Sequence, residues 1–269
     1  MEQVDAGAGA DTSRAHKDVR SLLSAGGKLI SGSEDGSIRV WDVAGERCEG
    51  VLEGHTGRVT SLAASGGRLM SGSLDRTVRV WGMEGEASRW RCERTLDGQR
   101  SMVWCVVAWE GWVAGGCDDR GIGVWGAETW GLERTLRGHE RHVFALVMSG
   151  GRLISSSSDR TVRVWSTETW GCVQTVEAYP AGSRQFIHRL AVSGPTLVGG
   201  SLSEPYSAYD SHHHSASAEH EVRVWDLETL RPLHTMRQPA GQRVWSLVGD
   251  GGEVLGAEGQ EVVVWGRRG

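Results

Sequence analysis

One pattern recurs along the chain and restricts its fold more than any other feature. LISGSEDGSIRVWD (29–42), LMSGSLDRTVRVWG (69–82) and LISSSSDRTVRVWS (153–166) are three copies of one unit, and VAGGCDDRGIGVWG (113–126), EVRVWD (221–226) and EVVVWG (261–266) follow the same frame. The tryptophans ending these copies, Trp41, Trp81, Trp125, Trp165, Trp225 and Trp265, are spaced 40, 44, 40, 60 and 40 residues apart. Self-similarity at a fixed period marks a repeat architecture, in which each copy is one supersecondary unit that stacks on its neighbours. In the second copy VTSLAA (59–64), RLMSGS (68–73), TVRVW (77–81) and RCERTL (91–96) read as strands: short, β-branched and alternating, with Gly, Ser and Asp between them. Connections this short force neighbouring strands to run antiparallel, so each copy is a four-stranded meander. The 39 glycines among 269 residues fit many tight turns and would burden a helical fold, since each costs about 1 kcal/mol in a helix interior. Val, Leu and Trp on both faces of such a sheet require burial on both sides, which radial stacking around a channel supplies.

These copies resemble the WD40-repeat β-propeller family. Its Gly-His dipeptide stands as Gly54-His55 and Gly138-His139, with Ala15-His16 as a variant, and its Trp-Asp ending as Trp41-Asp42 and Trp225-Asp226. The resemblance implies an all-β propeller of six recognisable four-stranded blades, the last incomplete, because the innermost strand of the first copy starts near Val19 and the sixth copy stops at Trp265. A seven-bladed propeller lacking one blade is the alternative. Residues 1–13 are expected to be a flexible segment and 14–269 a single propeller domain. The Ser/Ala/His-rich stretch 201–220, which lengthens the fifth repeat, is expected to be a mobile insertion.

Each good copy carries a set that imitates a hydrolase triad: His16, Ser33, Asp35 and Trp41; His55, Ser73, Asp75 and Trp81; His139, Ser157, Asp159 and Trp165. Repetition in separate blades argues for a structural chain in which indole, hydroxyl, imidazole and carboxylate satisfy one another. The third copy has Gln99 and Cys117 in place of His and Ser, and the fifth and sixth keep only Trp225 and Trp265 clearly, so the C-terminal blades should be looser. A literal G-x-G-x-x-G at 121–126 lies within a strand and cannot cradle a pyrophosphate. His212, His213, His214 and His220 read as part of a solvated loop rather than a metal site, and five cysteines without a C-x-x-C pair suggest neither zinc nor a disulfide framework. No catalytic residue, cofactor or metal is expected. The net charge of 29 − 34 = −5 speaks against a polybasic nucleic-acid or membrane-surface protein, and with no signal-like start the expected location is the cytoplasm, or the nucleus.

Function is then expected on loops presented by a rigid scaffold, as a non-catalytic protein-interaction module that acts as a monomeric domain within a larger complex. In the resembled fold the Gly-His loop and the Asp turn share the top rim. Following the first Val or Ile of the innermost strand stand Arg20, Thr60, Trp104, Phe144, His188 and Trp245, and just before the turn Asp stand Glu34, Leu74, Asp118 and Ser158. With Arg58, Arg100, Arg141 and Arg184 nearby, these have the composition of an interface with aromatic anchors and an arginine rim, or else the aromatics are plugs packed between blades. On the opposite rim Trp130, Trp170 and Leu230 occupy one equivalent place, where they either cover their own outer strand or form an apolar strip. The turns Ser65-Gly66-Gly67 and Ser149-Gly150-Gly151 make the chain similar to propellers of RING-type TNF-receptor-associated factors, F-box proteins and plant CCCH zinc-finger proteins. That similarity implies substrate recognition for ubiquitin ligation. A signalling scaffold unrelated to ubiquitin, or an enzyme using the channel, are the alternatives.

Overall fold

The computed structural model describes residues 18–98, 101–203, 220–237, 244–250, 253–258 and 261–265. The chain falls into two compact units, Met1–Arg137 and Gly138–Gly269. In the first, three meanders follow one another: β1 (Val19–Ala25), β2 (Lys28–Ser33), β3 (Ile38–Asp42) and β4 (Arg47–Leu52); β5 (Val59–Ser65), β6 (Arg68–Ser73), β7 (Val78–Gly82) and β8 (Cys92–Leu96); β9 (Val103–Trp109), β10 (Trp112–Cys117), β11 (Ile122–Gly126) and β12 (Leu132–Leu136). The second holds β13 (Val143–Ser149), β14 (Arg152–Ser157), β15 (Thr161–Ser166) and β16 (Cys172–Glu177); β17 (Gln185–Ser193), β18 (Thr196–Ser203), β19 (Glu221–Asp226) and β20 (Pro232–Arg237); and β21 (Val244–Asp250), β22 (Glu253–Glu258) and β23 (Glu261–Trp265).

Five of these sheets are four-stranded and the sixth, β21-β22-β23, has three strands among the described residues. Five complete blades therefore form where six copies are visible. Any partner of β23 from residues 1–13 lies outside the described residues, as do Ala15 and His16. The insertion is shorter than 201–220 suggests: residues 201–203 extend β18, and His220 is buried with Nδ1 3.3 Å from the Ser201 carbonyl oxygen. Tyr206, Tyr209 and the triple histidine lie outside the described residues.

Within each unit the seams between consecutive blades repeat one scheme. Val59 packs with Ile30, Ile38 and Val40 of the blade before it; Val103 and Val106 pack with Met70, Val78 and Val80; Ile187 and Leu190 pack with Ile154, Val162 and Val164. Glycine allows this approach, since a Cβ at Gly32 would sit 2.6 Å from Val59 Cγ1 and one at Gly72 2.9 Å from Val103 Cγ1. Apolar burial along such seams, at about 25 cal/mol per Å², is what holds blades that share no strand hydrogen bonds.

Two of the opposite-rim residues, Trp130 and Leu230, join this packing. Trp130, Trp170 and Leu230 have positive φ (56°, 60° and 53°), and their N–H groups donate to the carbonyls four residues back, Gly126, Ser166 and Asp226, at 2.7, 2.9 and 2.8 Å. From that turn the Trp130 ring lies under the Arg68 guanidinium of the preceding blade, and Leu230, 3% exposed, joins the cluster shared by the fourth and fifth blades. Trp130 and Leu230 are thus wedges at a seam, neither an exposed strip nor a cover for their own strand. Trp90, following a short 3-10 turn (Ala87–Arg89), fills the matching place against the first blade.

Candidate interaction rim

In the second blade His55 Nδ1 is 2.7 Å from Asp75 Oδ2 and Nε2 is 2.7 Å from Ser71 Oγ, while Trp81 Nε1 donates to Ser71 Oγ at 2.9 Å. A carboxylate only accepts, so Nδ1 carries the proton, Nε2 accepts from the serine hydroxyl, and the serine oxygen accepts from the indole. The fourth blade repeats the set with His139, Asp159, Ser155 and Trp165 at 2.7, 2.7 and 2.9 Å. In the first, Trp41 Nε1 donates to Ser31 at 2.8 Å.

The serine of the chain is therefore Ser31, Ser71 or Ser155, and the assignment to Ser33, Ser73 and Ser157 is corrected. Both serines face one side of the strand, but the antiparallel register sets Leu69 opposite Trp81 and Ser71 opposite Arg79, which brings Ser71 level with the indole tip. Ser73 lies beyond the stretch paired with β7 and serves the turn: its hydroxyl donates to the Gly57 carbonyl at 3.0 Å and accepts from the Asp75 N–H at 3.1 Å.

Thr77 and Thr161 complete the set, each donating to its aspartate at 2.7 Å. Burial of Asp75 and Asp159 opposes their charge, but the histidine, the threonine and the backbone N–H of Thr56 or Glu140 outweigh it and hold both well below the usual carboxylate range. In the third blade Gly115 stands in place of Ser71, and the Trp125 indole donates instead to the Asp97 carbonyl at 3.0 Å. Asp119 there accepts from the Gly121 N–H, and Gln99 lies outside the described residues.

The fifth blade has a polar closure of its own that the repeat pattern does not reveal. Ala178-Tyr179 stands where Gly138-His139 stands in the fourth. The Arg223 guanidinium lies 3.8 Å from the Tyr179 ring centroid, donates to the Ala178 carbonyl, and reaches Glu221 Oε2 through Nε at 3.1 Å and Nη2 at 3.0 Å. Burial pushes the Tyr179 phenol up to about 12. Aligning Arg223 with Arg79 and Arg163 is the signal that finds it.

At the top rim the innermost strands share one irregularity. Strand register shifts at Arg20, Thr60, Trp104, Phe144, His188 and Trp245, so the residue singled out in every copy is a β-bulge. A bulge inserts an unpaired residue and turns its side chain out of the alternation. It is closed from the Asp turn, where the N–H groups of Glu34, Leu74, Asp118 and Ser158 donate to the carbonyls of Asp18, Arg58, Met102 and His142 at 3.1, 3.0, 3.0 and 3.1 Å.

Two blades also join the side chains of the two positions: Arg20 Nε donates to Glu34 Oε1 at 2.7 Å, and Trp104 Nε1 to Asp118 Oδ1 at 3.2 Å. Arg58 Nη2 lies 3.0 Å from the same Glu34 oxygen, so two guanidinium groups share one carboxylate. Thr60 Oγ1 reaches the Gly72 and Val103 carbonyls at 3.0 and 2.8 Å, and thereby ties two blades.

The aromatic members are packed. Trp104, Phe144 and His188 are 8%, 6% and 8% exposed, Phe144 stacks on Phe186 with ring centroids 5.2 Å apart, and His188 Nδ1 lies 3.2 Å from the Gly200 carbonyl oxygen. The rings therefore present only edges, as plugs would. Arg58, Leu74 and Asp118 are half-buried and Arg141 is exposed. The Trp245 side chain, Arg100 and any exposed aromatic centre built on them lie outside the described residues.

The WD domain, G-beta repeat family model matches residues 10–42, 46–82 and 130–166. No curated protein matches the chain. Among solved structures, the crystal structure of the computationally designed Ika8 protein is similar, with 25% sequence identity and a TM-score of 0.68 over 93% of this chain and 71% of that one.

Proposed function

From WD40 repeats folded as β-propeller blades, which generally bind other proteins, we propose that this chain is a non-catalytic protein-interaction scaffold whose top rim takes up a partner. The observation that carries the reading is the bulge repeated at Arg20, Thr60, Trp104, Phe144, His188 and Trp245, the first four braced from the Asp turn of their own blades. Bulges of this kind re-aim side chains beside binding sites. On the first unit the Trp104 ring sets the floor, and Arg58, Leu74 and Asp118 offer the contacts. Arg20 and Arg58 with the Glu34 and Asp118 carboxylates suit a polar, charge-matched rim rather than a deep apolar anchor pocket. The imidazole, serine and carboxylate groups that imitate a triad are occupied with one another, which favours scaffold over enzyme.

A narrower version makes the scaffold a cytoplasmic substrate-recognition module for ubiquitin ligation. What supports it is the sequence similarity of its short Ser-Gly-Gly turns and S-G-S-x-D strand pairs to ligase-associated propellers. Affinity capture with the full chain and with Arg58→Ala/Leu74→Ala tests the rim. The expected result is a set of proteins lost from the double variant at an unchanged melting temperature, with ligase subunits among them if the narrower version holds. Identical capture by both chains moves the site off this rim.

A further inference from the structure

The residue just before the Asp turn is satisfied differently from blade to blade. Glu34 accepts from Arg20 and Asp118 from the Trp104 indole, each within its own blade, and the apolar Leu74 needs no partner. In the fourth blade this place holds Ser158, 6% exposed, and the bulge residue is Phe144, whose ring brings neither an N–H nor an oxygen. The Ser158 N–H closes the bulge on the His142 carbonyl at 3.1 Å, but among the described residues the hydroxyl has no hydrogen-bond partner. A buried hydroxyl left in that state carries the full cost of its desolvation, so such groups are few and each calls for an explanation.

The groups around it, all within the second unit, are basic. Arg141 and Arg184 are exposed and stand at the entries to β13 and β17. Arg160, in the turn that follows Ser158, donates from Nη1 to the Ser183 carbonyl at 3.3 Å, which brings that turn beside the residue preceding Arg184. The His142 and Phe144 rings meet edge to face at 6.1 Å, and Phe144 stacks on Phe186, so the two strand entries share one packed aromatic floor. In residues 138–144, 157–161 and 183–188 the carboxylates are Asp159, committed to His139 and Thr161, and Glu140. We infer that Ser158 is the centre of a carboxylate subsite on the second unit, which takes an aspartate or glutamate side chain of a protein partner between Arg141 and Arg184. The hydroxyl donates to the incoming carboxylate, a charge-assisted hydrogen bond, and the two guanidinium groups supply the complementary potential. This deepens the scaffold reading and rests on it, with residues of a different unit from Arg58 and Leu74.

The probe is a fluorescein-labelled oligoglutamate peptide, with an oligoglutamine peptide of equal length as its control, titrated with the full chain and read by anisotropy. Oligoglutamate should bind and oligoglutamine should not. Ser158→Ala and Arg184→Gln should each weaken binding roughly tenfold, as the loss of one hydrogen bond or contact to a charged group would. Arg89→Gln, which removes an exposed arginine of the first unit, should bind as the unaltered chain does. Ser158→Ala also removes a buried hydroxyl without a partner, so its melting temperature should stay the same or rise, whereas a serine that holds the turn would lower it when lost. The inference is overturned if oligoglutamate binds no better than oligoglutamine, if Ser158→Ala binds as tightly as the unaltered chain or melts earlier, if Arg89→Gln weakens binding as much as Arg184→Gln, or if a single-stranded DNA of equal charge binds more tightly than the peptide. The rim of the first unit is read separately, by the capture with Arg58→Ala/Leu74→Ala, so the failure of one reading is not mistaken for the failure of the other.

Discussion

Ser71 and Ser155 each join a buried indole to a buried imidazole, and both neighbours lose a partner when the hydroxyl is removed. Ser71→Ala is expected to cost about 1–3 kcal/mol in denaturant unfolding, and Ser73→Ala less, because Ser73, though itself buried, bonds to Gly57 and Asp75 in half-buried turns. Asp75 and Asp159 add a pH dependence. Their folded values are depressed below the ordinary carboxylate value, so their contribution is present above about pH 4 and is lost as pH falls through the folded value. Acid melts should therefore steepen below about pH 4, and Asp75→Asn with Asp159→Asn should flatten that slope. A chain that loses stability equally with and without these two carboxylates would remove them from the account. The residue types of the polar chain were legible from the repeat; the choice between Ser71 and Ser73 was not. Two serines two places apart point the same way, and only the register with β7 separates them.

Elements differ in how fully their geometry is written in the sequence. Strand order within each complete blade followed from short connections and alternation. The bulge in each innermost strand did not, because an inserted residue leaves alternation readable on either side of it. Burial of Trp104 and Phe144 went with it, since a residue turned out of the ladder can face the seam or the solvent. Trp104→Ala should consequently lower the melting temperature, removing a ring that is 8% exposed at a cost of about 3–5 kcal/mol, and so it is a poor probe of binding alone. At the β3–β4 turn Glu46 is exposed at φ 49°, where a side chain without packing only adds strain. Glu46→Gly should raise stability by roughly 0.5–1 kcal/mol in the same melts, whereas Leu230→Gly, at the same turn position but buried, should lower it by more than that. Equal responses at the two turns would show that the wedge contributes nothing at the seam.

Across the molecule, the fully formed polar chain occurs in the second and fourth blades, while the third has Gly115 at the serine position and the fifth substitutes the Tyr179, Arg223 and Glu221 cluster. Amide exchange should reflect this, with the slowest amides in β6, β7, β14 and β15 and faster exchange in β10 and β11; uniform protection in all four-stranded sheets would show that the seams, rather than the polar chains, set local stability. The same seam built three times over, from a valine or isoleucine against a sheet carrying Gly32, Gly72 or Ser156 at the equivalent register position, has a consequence for how such a chain can change over generations. Duplicating the stretch from one tryptophan to the next inserts a unit whose two sides already match both neighbours, so copy number can drift without any new interface having to arise. Individual copies are then released to diverge, as the third and fifth have, because a neighbour on either side holds them in register while their own inner bonding is rewritten.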